Sequence, residues 1–251
     1  MTSANIVGYQ TMTIANKKQV PLALQFRDLE NPGKPIAIDK LFVHGSPKSS
    51  GSFGNAADQI WCWNTMENTW RKYGYHKPSG QDARWERCDT TTSPYTWSKL
   101  ADDDVVNPGQ TFIFYNGATT NVTLNFSGEV VPLSDNPEFT IPNKKQMFIA
   151  FPWPVSNSIK DIGSSYVGKS SGSFGNAGDQ IWYWQMTENT WRKYAFHKPS
   201  GQTARWERCD TTTSPYTWYS LTADDVVPAG QGFILYNGAT TNITVRFTLK
   251  K

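Results

Sequence analysis

Tryptophan is the residue type in this chain best suited to recognition chemistry. There are 11 Trp in 251 residues. Ten of them form pairs at a fixed separation: Trp61/Trp182, Trp63/Trp184, Trp70/Trp191, Trp85/Trp206 and Trp97/Trp218. An indole offers much contact area with few rotamers to freeze, so it serves cores and binding surfaces alike. On a surface, its face accepts the apolar C–H side of a sugar ring, while nearby Arg, Glu, Asp and Asn supply partners for the hydroxyls. Trp61 and Trp63 point to one face of a strand and belong together. The preferred ligand-binding candidates are Trp85, Glu86, Arg87, Asp89, Tyr95 and Trp97, with Trp206, Glu207, Arg208, Asp210, Tyr216 and Trp218 as their duplicates. Core packing is the competing reading for any single ring.

The loop Asp89-Thr90-Thr91-Thr92-Ser93-Pro94-Tyr95 recurs letter for letter. Loops usually tolerate drift, so retention hints at function. The alternative is a turn held by Asp and Thr side-chain hydrogen bonds. Little else points to catalysis. His76 and His197 each precede Lys-Pro with no partner nearby in sequence, which reads as structural or exposed histidine. A Cys88–His76 nucleophile pair is formally possible. No glycine-rich phosphate loop or nucleophile elbow occurs. Paired carboxylates for glycoside hydrolysis can lie far apart in sequence, but a duplicated site on two small modules argues against them. Asp103-Asp104 and Asp224-Asp225 lack the alternating calcium-loop pattern and read as solvated turns. The three cysteines, Cys62, Cys88 and Cys209, include no CxxC, so zinc is not indicated. Tyr183 stands where Cys62 would repeat, so no disulfide belongs to the module, and buried free thiols are expected. The expectation is a chain with no catalytic residues, no metal and no cofactor.

What must position these residues is an internal duplication. Gly51-Ser52-Phe53-Gly54-Asn55-Ala56 returns as Gly172-Ser173-Phe174-Gly175-Asn176-Ala177, and the offset of 121 then holds without a gap to Phe126 and Phe247. Roughly three quarters of these aligned positions are identical. Upstream, Asn16-Lys17-Lys18-Gln19 matches Asn143-Lys144-Lys145-Gln146 at an offset of 127, which places six extra residues of the first copy within Asn31 to Ser46. The modules are therefore drawn at 1–126 and 127–251. The longest identical block, Ala83 to Trp97, recurs as Ala204 to Trp218.

Strand signals dominate each copy. Gln59 to Trp63, Thr69 to Tyr73 and Thr111 to Tyr115 are aromatic and β-branched. Asn121 to Phe126 alternates with period two. Turns are expected at Asn64 to Asn68, Lys77 to Gly80, Asn107 to Gly109 and Asn116-Gly117. One short helix fits Ile159 to Ser164, or Ile38 to Val43 in the first copy. The fold class is all-β: two tandem copies of a small β-sandwich or barrel-like module. Alternation puts Trp70, Lys72 and His76 on one face and Arg71, Tyr73 and Tyr75 on the other. It likewise sets Trp85 and Arg87 against Arg84, Glu86 and Cys88.

A formal charge of +3 with no long run of like charge gives nucleic acid no footing. No apolar stretch reaches the roughly 18 residues of a membrane-crossing helix, so no membrane insertion is expected. The short polar start, Met1 to Asn5, is read as following removal of an export signal. The sequons Asn121-Val122-Thr123 and Asn242-Ile243-Thr244 carry little weight.

Ile6-Val7-Gly8-Tyr9-Gln10, Trp61-Cys62-Trp63-Asn64, Gly230-Gln231-Gly232-Phe233 and Gly128-Glu129-Val130 together resemble the short motifs of uncharacterised exported β-repeat proteins of Verrucomicrobia-type bacteria. The first copy departs from that pattern at Gly109-Gln110-Thr111-Phe112. The resemblance implies a secreted or cell-surface bacterial location and carries over no catalytic residue. The leading expectation is a non-catalytic extracellular protein that binds a polysaccharide or glycan through duplicated sites. Its rival is a structural surface protein whose aromatic patches drive self-association or bind other surface proteins.

Overall fold

The computed structural model describes residues 7–45, 47–54, 56–64, 69–132, 135, 137–163, 165–188 and 190–247. It is all-β, in two similar halves of stacked antiparallel sheets, with compact units Met1–Val131 and Pro132–Lys251. The sequence-based division after Phe126 falls inside a strand. Val122, Leu124 and Phe126 point inward and Thr123 and Asn125 outward, and the same strand continues unbroken to Val130.

The first unit contains β1 (Val7–Ile14), β2 (Gln19–Ala23), β3 (Phe26–Arg27), β4 (Ile36–Ala37), β5 (Val43–His44), β6 (Gln59–Asn64), β7 (Thr69–His76), β8 (Arg84–Asp89), β9 (Thr96–Ser98), β10 (Val105–Val106), β11 (Thr111–Tyr115) and β12 (Val122–Val130). Six strands form one antiparallel sheet in the order β2-β11-β6-β7-β8-β9. A smaller sheet, β1-β12-β3 with β5 also on β12, packs against it, and β4 pairs with β10. Phe112 on the large sheet and Phe126 on the small one meet at 6.3 Å between ring centroids. Ile60, Tyr73, Phe114, Ile14 and Leu124 complete the buried layer between the sheets.

The second unit repeats the scheme with β13 (Glu138–Ile141), β14 (Gln146–Ile149), β15 (Asn157–Ser158), β16 (Gln180–Gln185), β17 (Thr190–His197), β18 (Arg205–Asp210), β19 (Thr217–Ser220), β20 (Val226–Val227), β21 (Phe233–Tyr236) and β22 (Ile243–Arg246). Its six-stranded sheet runs β14-β21-β16-β17-β18-β19, beside the pairs β13-β22 and β15-β20. Helix α1 (Ile159–Gly163) fills the place of a 3-10 turn at Ile38–Lys40. Ser164 lies outside the described residues. In the first unit the chain then goes directly into β5 rather than staying helical to Val43, because Val43 and His44 pair with β12. The turn expected over Asn64 to Asn68 falls largely on residues 65–68, outside the described set.

A buried carboxylate pins each unit's turns to its sheet. Asp58 accepts the amides of Gly117 at 2.7 Å and Lys48 at 2.8 Å, with His44 Nε2 at 3.0 Å. Asp179 accepts Gly238 at 2.7 Å and Lys169 at 2.8 Å, and Tyr166 takes the place of the histidine. Burial, the dominant influence, raises the Asp179 carboxyl above its ordinary pKa despite these donors. The neighbouring Asn116 is also fully buried. Its side-chain amide reaches the carbonyls of Ile14, Ala15 and Thr120, and its oxygen accepts Ala118 N. Gly117 must be glycine here, since a Cβ would lie 2.2 Å from the Ala57 carbonyl carbon. Backbone on both sides leaves nothing flexible to yield. Gly117→Ala is expected to lose about 1–3 kcal/mol or more from overpacking. Urea unfolding checks this, and an unchanged midpoint would refute the close-approach argument.

Candidate functional site

Strand register decides which side chains share a surface. Trp61, Lys72, Cys88 and Trp97 lie directly across from one another along β6, β7, β8 and β9, and Trp63 faces Trp70. Tyr73, Phe112 and Phe114 on the opposite face are buried in the core. The Trp61 face is therefore the outer side of the sheet, and its rings are half-buried rather than enclosed. Trp63 and Trp70 meet edge to face at 5.4 Å. The Lys72 ammonium sits 5.3 Å above the Trp61 ring and donates to Thr90 Oγ1 at 2.9 Å. Phe53, from the loop after the bridge of Ser50 to His76, adds its ring 6.0 Å from Trp97. The second unit rebuilds the tract with Trp182, Trp184, Trp191, Lys193 and Trp218.

Beneath one end of this tract lies a buried polar pair. His76 Nδ1 meets Glu86 Oε2, and Arg84 Nε donates to Glu86 Oε1 at 2.7 Å. Trp97 stacks on the His76 ring at 3.9 Å with planes 4° apart. His197, Glu207, Arg205 and Trp218 repeat the arrangement, with the rings 3.7 Å apart. The histidines thus do have partners, ten residues on, because β7 and β8 run antiparallel and bring them together. Each is buried under an indole, which makes the pair a support for Trp97 and Trp218.

The expected site residues part company across the sheet. Trp85 and Arg87 are on the inner face, where Trp85 packs on Tyr75 at 5.5 Å and on Phe42 at 6.3 Å. Trp206 is only 9 % exposed and contacts Phe196 at 5.6 Å. Gly163 closes α1 against it, where a Cβ would sit 1.9 Å from the indole nitrogen. Glu86 and Glu207 are committed to the histidine–arginine pairs. Arg208 sits over the Tyr219 ring at 5.0 Å, on the inner face with Trp206. Asp89 and Asp210 close the threonine loops. Asp89 Oδ1 accepts the Thr91 amide at 2.8 Å and its hydroxyl at 2.6 Å, which holds the carboxyl below its ordinary pKa. Asp210 does the same with Thr212. Tyr95 and Tyr216 are exposed and lie edge-on to Phe53 and Phe174. Trp97 and Trp218 alone among the expected tryptophans join the outer tract. Both Ser93-Pro94 and Ser214-Pro215 are cis.

The reading of the acidic pairs as solvated turns is corrected, whereas the expected buried free thiols are found. Asp104 and Asp225 are not solvated; they are 1 % and 2 % exposed, and accept Tyr73 OH at 2.8 Å and Tyr194 OH at 2.9 Å. Alternation set Tyr73 on the face opposite Lys72 but did not say which of the two was buried. Cys62, Cys88 and Cys209 are free and buried. Burial pushes the Cys88 and Cys209 thiols up to about 11, against the opposing pull of Lys72 and Lys193. Cys88 is in register with Lys72, four residues from His76 along β7, or about 13 Å. That separation forbids a nucleophile pair. Among the described residues no group of three His, Cys, Asp or Glu could hold a metal, and no helix is long and apolar enough to cross a membrane.

No family model matches the chain, and neither a curated protein nor a solved structure does.

The Glu86 pair makes stability depend on pH. Burial raises the Glu86 carboxyl, but hydrogen bonds and charge from His76 and Arg84 outweigh it and leave it below the ordinary 4.5. A carboxyl depressed in the folded state stabilises above its unfolded pKa, and that contribution disappears as pH falls through the folded value. Glu86→Gln is therefore expected to cost stability at neutral pH and progressively less below about pH 4.3. Urea midpoints of parent and variant between neutral pH and about pH 3 test this. A gap that stays constant contradicts it.

Proposed function

We propose that the chain is an exported, non-catalytic binding protein whose two units each hold a glycan across the outer tryptophan tract. The observation that carries this reading is that Trp61, Trp63, Trp70, Trp97 and Lys72 share the outer face of one sheet and are repeated on the other. Indoles gathered on one side of a sheet offer apolar faces on which sugar rings can lie through their C–H sides. Lys72 and Thr90 offer polar partners beside the rings. Two weak sites in one chain suit a polymer, which lets the second contact form at high effective concentration. The exported location rests on the resemblance in the short repeat motifs.

Glycan titrations and thermal melts together test the reading. Trp63→Ala and Trp184→Ala are each expected to weaken binding by about 1–3 kcal/mol at their own site. The double variant loses far more, as avidity goes with the second site. Trp206→Ala, made at a core ring, lowers melting instead, by about 3–5 kcal/mol of stability. A parent protein that binds no glycan on a broad array ends the proposal.

One observation favours assembly through protein contacts as a second reading. β1 pairs only with β12 among the described residues, carries no charge along Val7–Ile14, and leaves Tyr9 80 % exposed. Edges without charge or proline invite another strand. Concentration-dependent sedimentation, suppressed by Thr11→Lys, supports this reading; a monomer at all concentrations removes it.

A further inference from the structure

The two copies differ in a way that is concentrated on one carboxylate. In the first unit, Arg71 Nη1 reaches Asp103 Oδ2 at 2.9 Å and Asp104 Oδ1 at 3.4 Å, and Arg87 Nη1 lies 3.7 Å from the same Asp104 oxygen. Ala101 N and Tyr73 OH complete the shell, each at 2.8 Å. Arg71 thus bridges the exposed Asp103 and the buried Asp104, and Arg87 approaches the same buried carboxylate. In the second unit neither equivalent, Arg192 or Arg208, makes an ion pair with Asp224 or Asp225 among the described residues.

Three substitutions between the copies account for the change. Tyr183 replaces Cys62, stacks on Tyr194 at 6.0 Å, and hydrogen-bonds Arg192. The Tyr183 ring thus lies between two of the groups, Arg192 and Tyr194, whose equivalents Arg71 and Tyr73 both bond Asp104 in the first unit. Thr222 replaces Ala101, and its hydroxyl gives Asp225 an added donor at 3.2 Å beside the Thr222 amide at 2.7 Å. The buried carboxylate is thereby satisfied by neutral groups, with no arginine needed. Tyr219 replaces Ser98, and Arg208 moves over its ring at 5.0 Å. Arg192 pairs with Glu188, with Nε 3.2 Å from Oε2 and a second contact from Nη2. The equivalent Glu67 lies outside the described residues.

Arg192 and Arg208 line a groove of about 710 Å3 at one end of the sheet, where Trp184, Trp191 and Lys193 of the outer face meet Tyr219 of the inner face. Its carboxylates are Glu188 and Asp210, against the cations Arg192, Lys193 and Arg208. Asp210 is occupied by Thr212. The Glu188–Arg192 pair is partly exposed, at 48 % and 16 % for the two side chains, and such pairs are weak enough to exchange. Arg208 makes no close ion pair among the described residues, and Glu188 and Asp210 attract it only from a distance. Planar guanidinium groups beside aromatic rings suit an oxyanion on a ring-shaped residue.

We propose that the second unit's groove takes an anionic glycan segment, bearing a carboxylate or a sulfate ester, while the first unit takes neutral sugar. This rests on the glycan reading of the tryptophan tract and adds charge selection to it. Arg208 and Arg192 bind the anionic group, and Tyr183, Tyr219 and Thr222 act as positioning residues that keep the arginines off Asp225.

The full chain is titrated with polygalacturonate, dextran sulfate and neutral dextran, with melting followed in parallel. Arg208→Ala is expected to lose about tenfold in affinity for an acidic polymer, the scale of one charge-assisted pair. Neutral-polymer binding and melting stay unchanged. Arg87→Ala, at the equivalent place in the first unit, leaves acidic binding as it was. The triple variant Tyr183→Cys, Tyr219→Ser, Thr222→Ala returns the arginines to Asp225 and matches the Arg208→Ala loss. Preference for polygalacturonate marks a carboxylate, and preference for dextran sulfate a sulfate ester; both support the proposal. Equal loss in Arg87→Ala and Arg208→Ala means attraction by overall charge and overturns it. Binding of neutral polymer alone overturns it while leaving the glycan reading intact. No binding of any polymer overturns both.

Discussion

The buried carboxylate of Asp58, and of Asp179 in the second unit, is the constraint from which the outer face follows. A fully buried carboxylate is tolerable only when hydrogen-bonded. The donors available are backbone amides from two separate turns, Gly117 and Lys48 in the first unit and Gly238 and Lys169 in the second. Satisfying it brings the turn after β11 against the backbone of Ala57 or Gly178 so closely that only glycine fits. The same residue anchors β7, since Tyr75 N donates to Asp58 O at 2.9 Å. The aromatic loop carrying Phe53 lies between Lys48 and Asp58, so its place over the sheet is set by these bonds.

Each six-stranded sheet has two unlike faces. The inner one meets a second layer and is largely apolar, with arginines and acidic side chains at its margin. The outer one meets no second sheet of its own unit among the described residues, yet it carries a row of indoles, of which Trp97 or Trp218 rests on a histidine–glutamate–arginine cluster. A polar cluster under a ring fixes the ring's tilt more firmly than loose apolar packing, because stacking at 3.9 Å and directional hydrogen bonds act on the same imidazole. Rigid placement of aromatic groups lowers the entropy lost on binding a ligand. This is a physical reason for both copies to hold the Ala83 to Trp97 block unchanged.

Where the copies differ, the differences are coupled. The change from Cys62 to Tyr183 lies far in sequence from the neighbouring changes Ser98 to Tyr219 and Ala101 to Thr222, but all bear on the arginines facing Asp104 or Asp225. A tyrosine alone would leave a buried carboxylate short of a donor; the threonine hydroxyl supplies one. Neutral donors at Asp225 then make the arginines dispensable to the core. Duplication thus keeps one scaffold while the partners of its inner-face arginines change.

Sequence alone determined the all-β class, the duplication, the sidedness of β7 and β8, and the free state of the cysteines. These depend on local periodicity and on the pairing of copies, both of which are written along the chain. It placed a division at Phe126, because repeat similarity ends there, whereas the strand runs on to Val130 through pairing with β1. It also separated Trp85 and Arg87 from Glu86 without showing which side was wet. That choice depends on which sheet face meets the small β1-β12-β3 layer, a relation between segments about a hundred residues apart. The same holds for His76 with Glu86, for Asp104 with Tyr73, and for the arginines released in the second unit. Alternation divides a strand into two faces, but only tertiary packing decides which face is buried and which charges it must neutralise there.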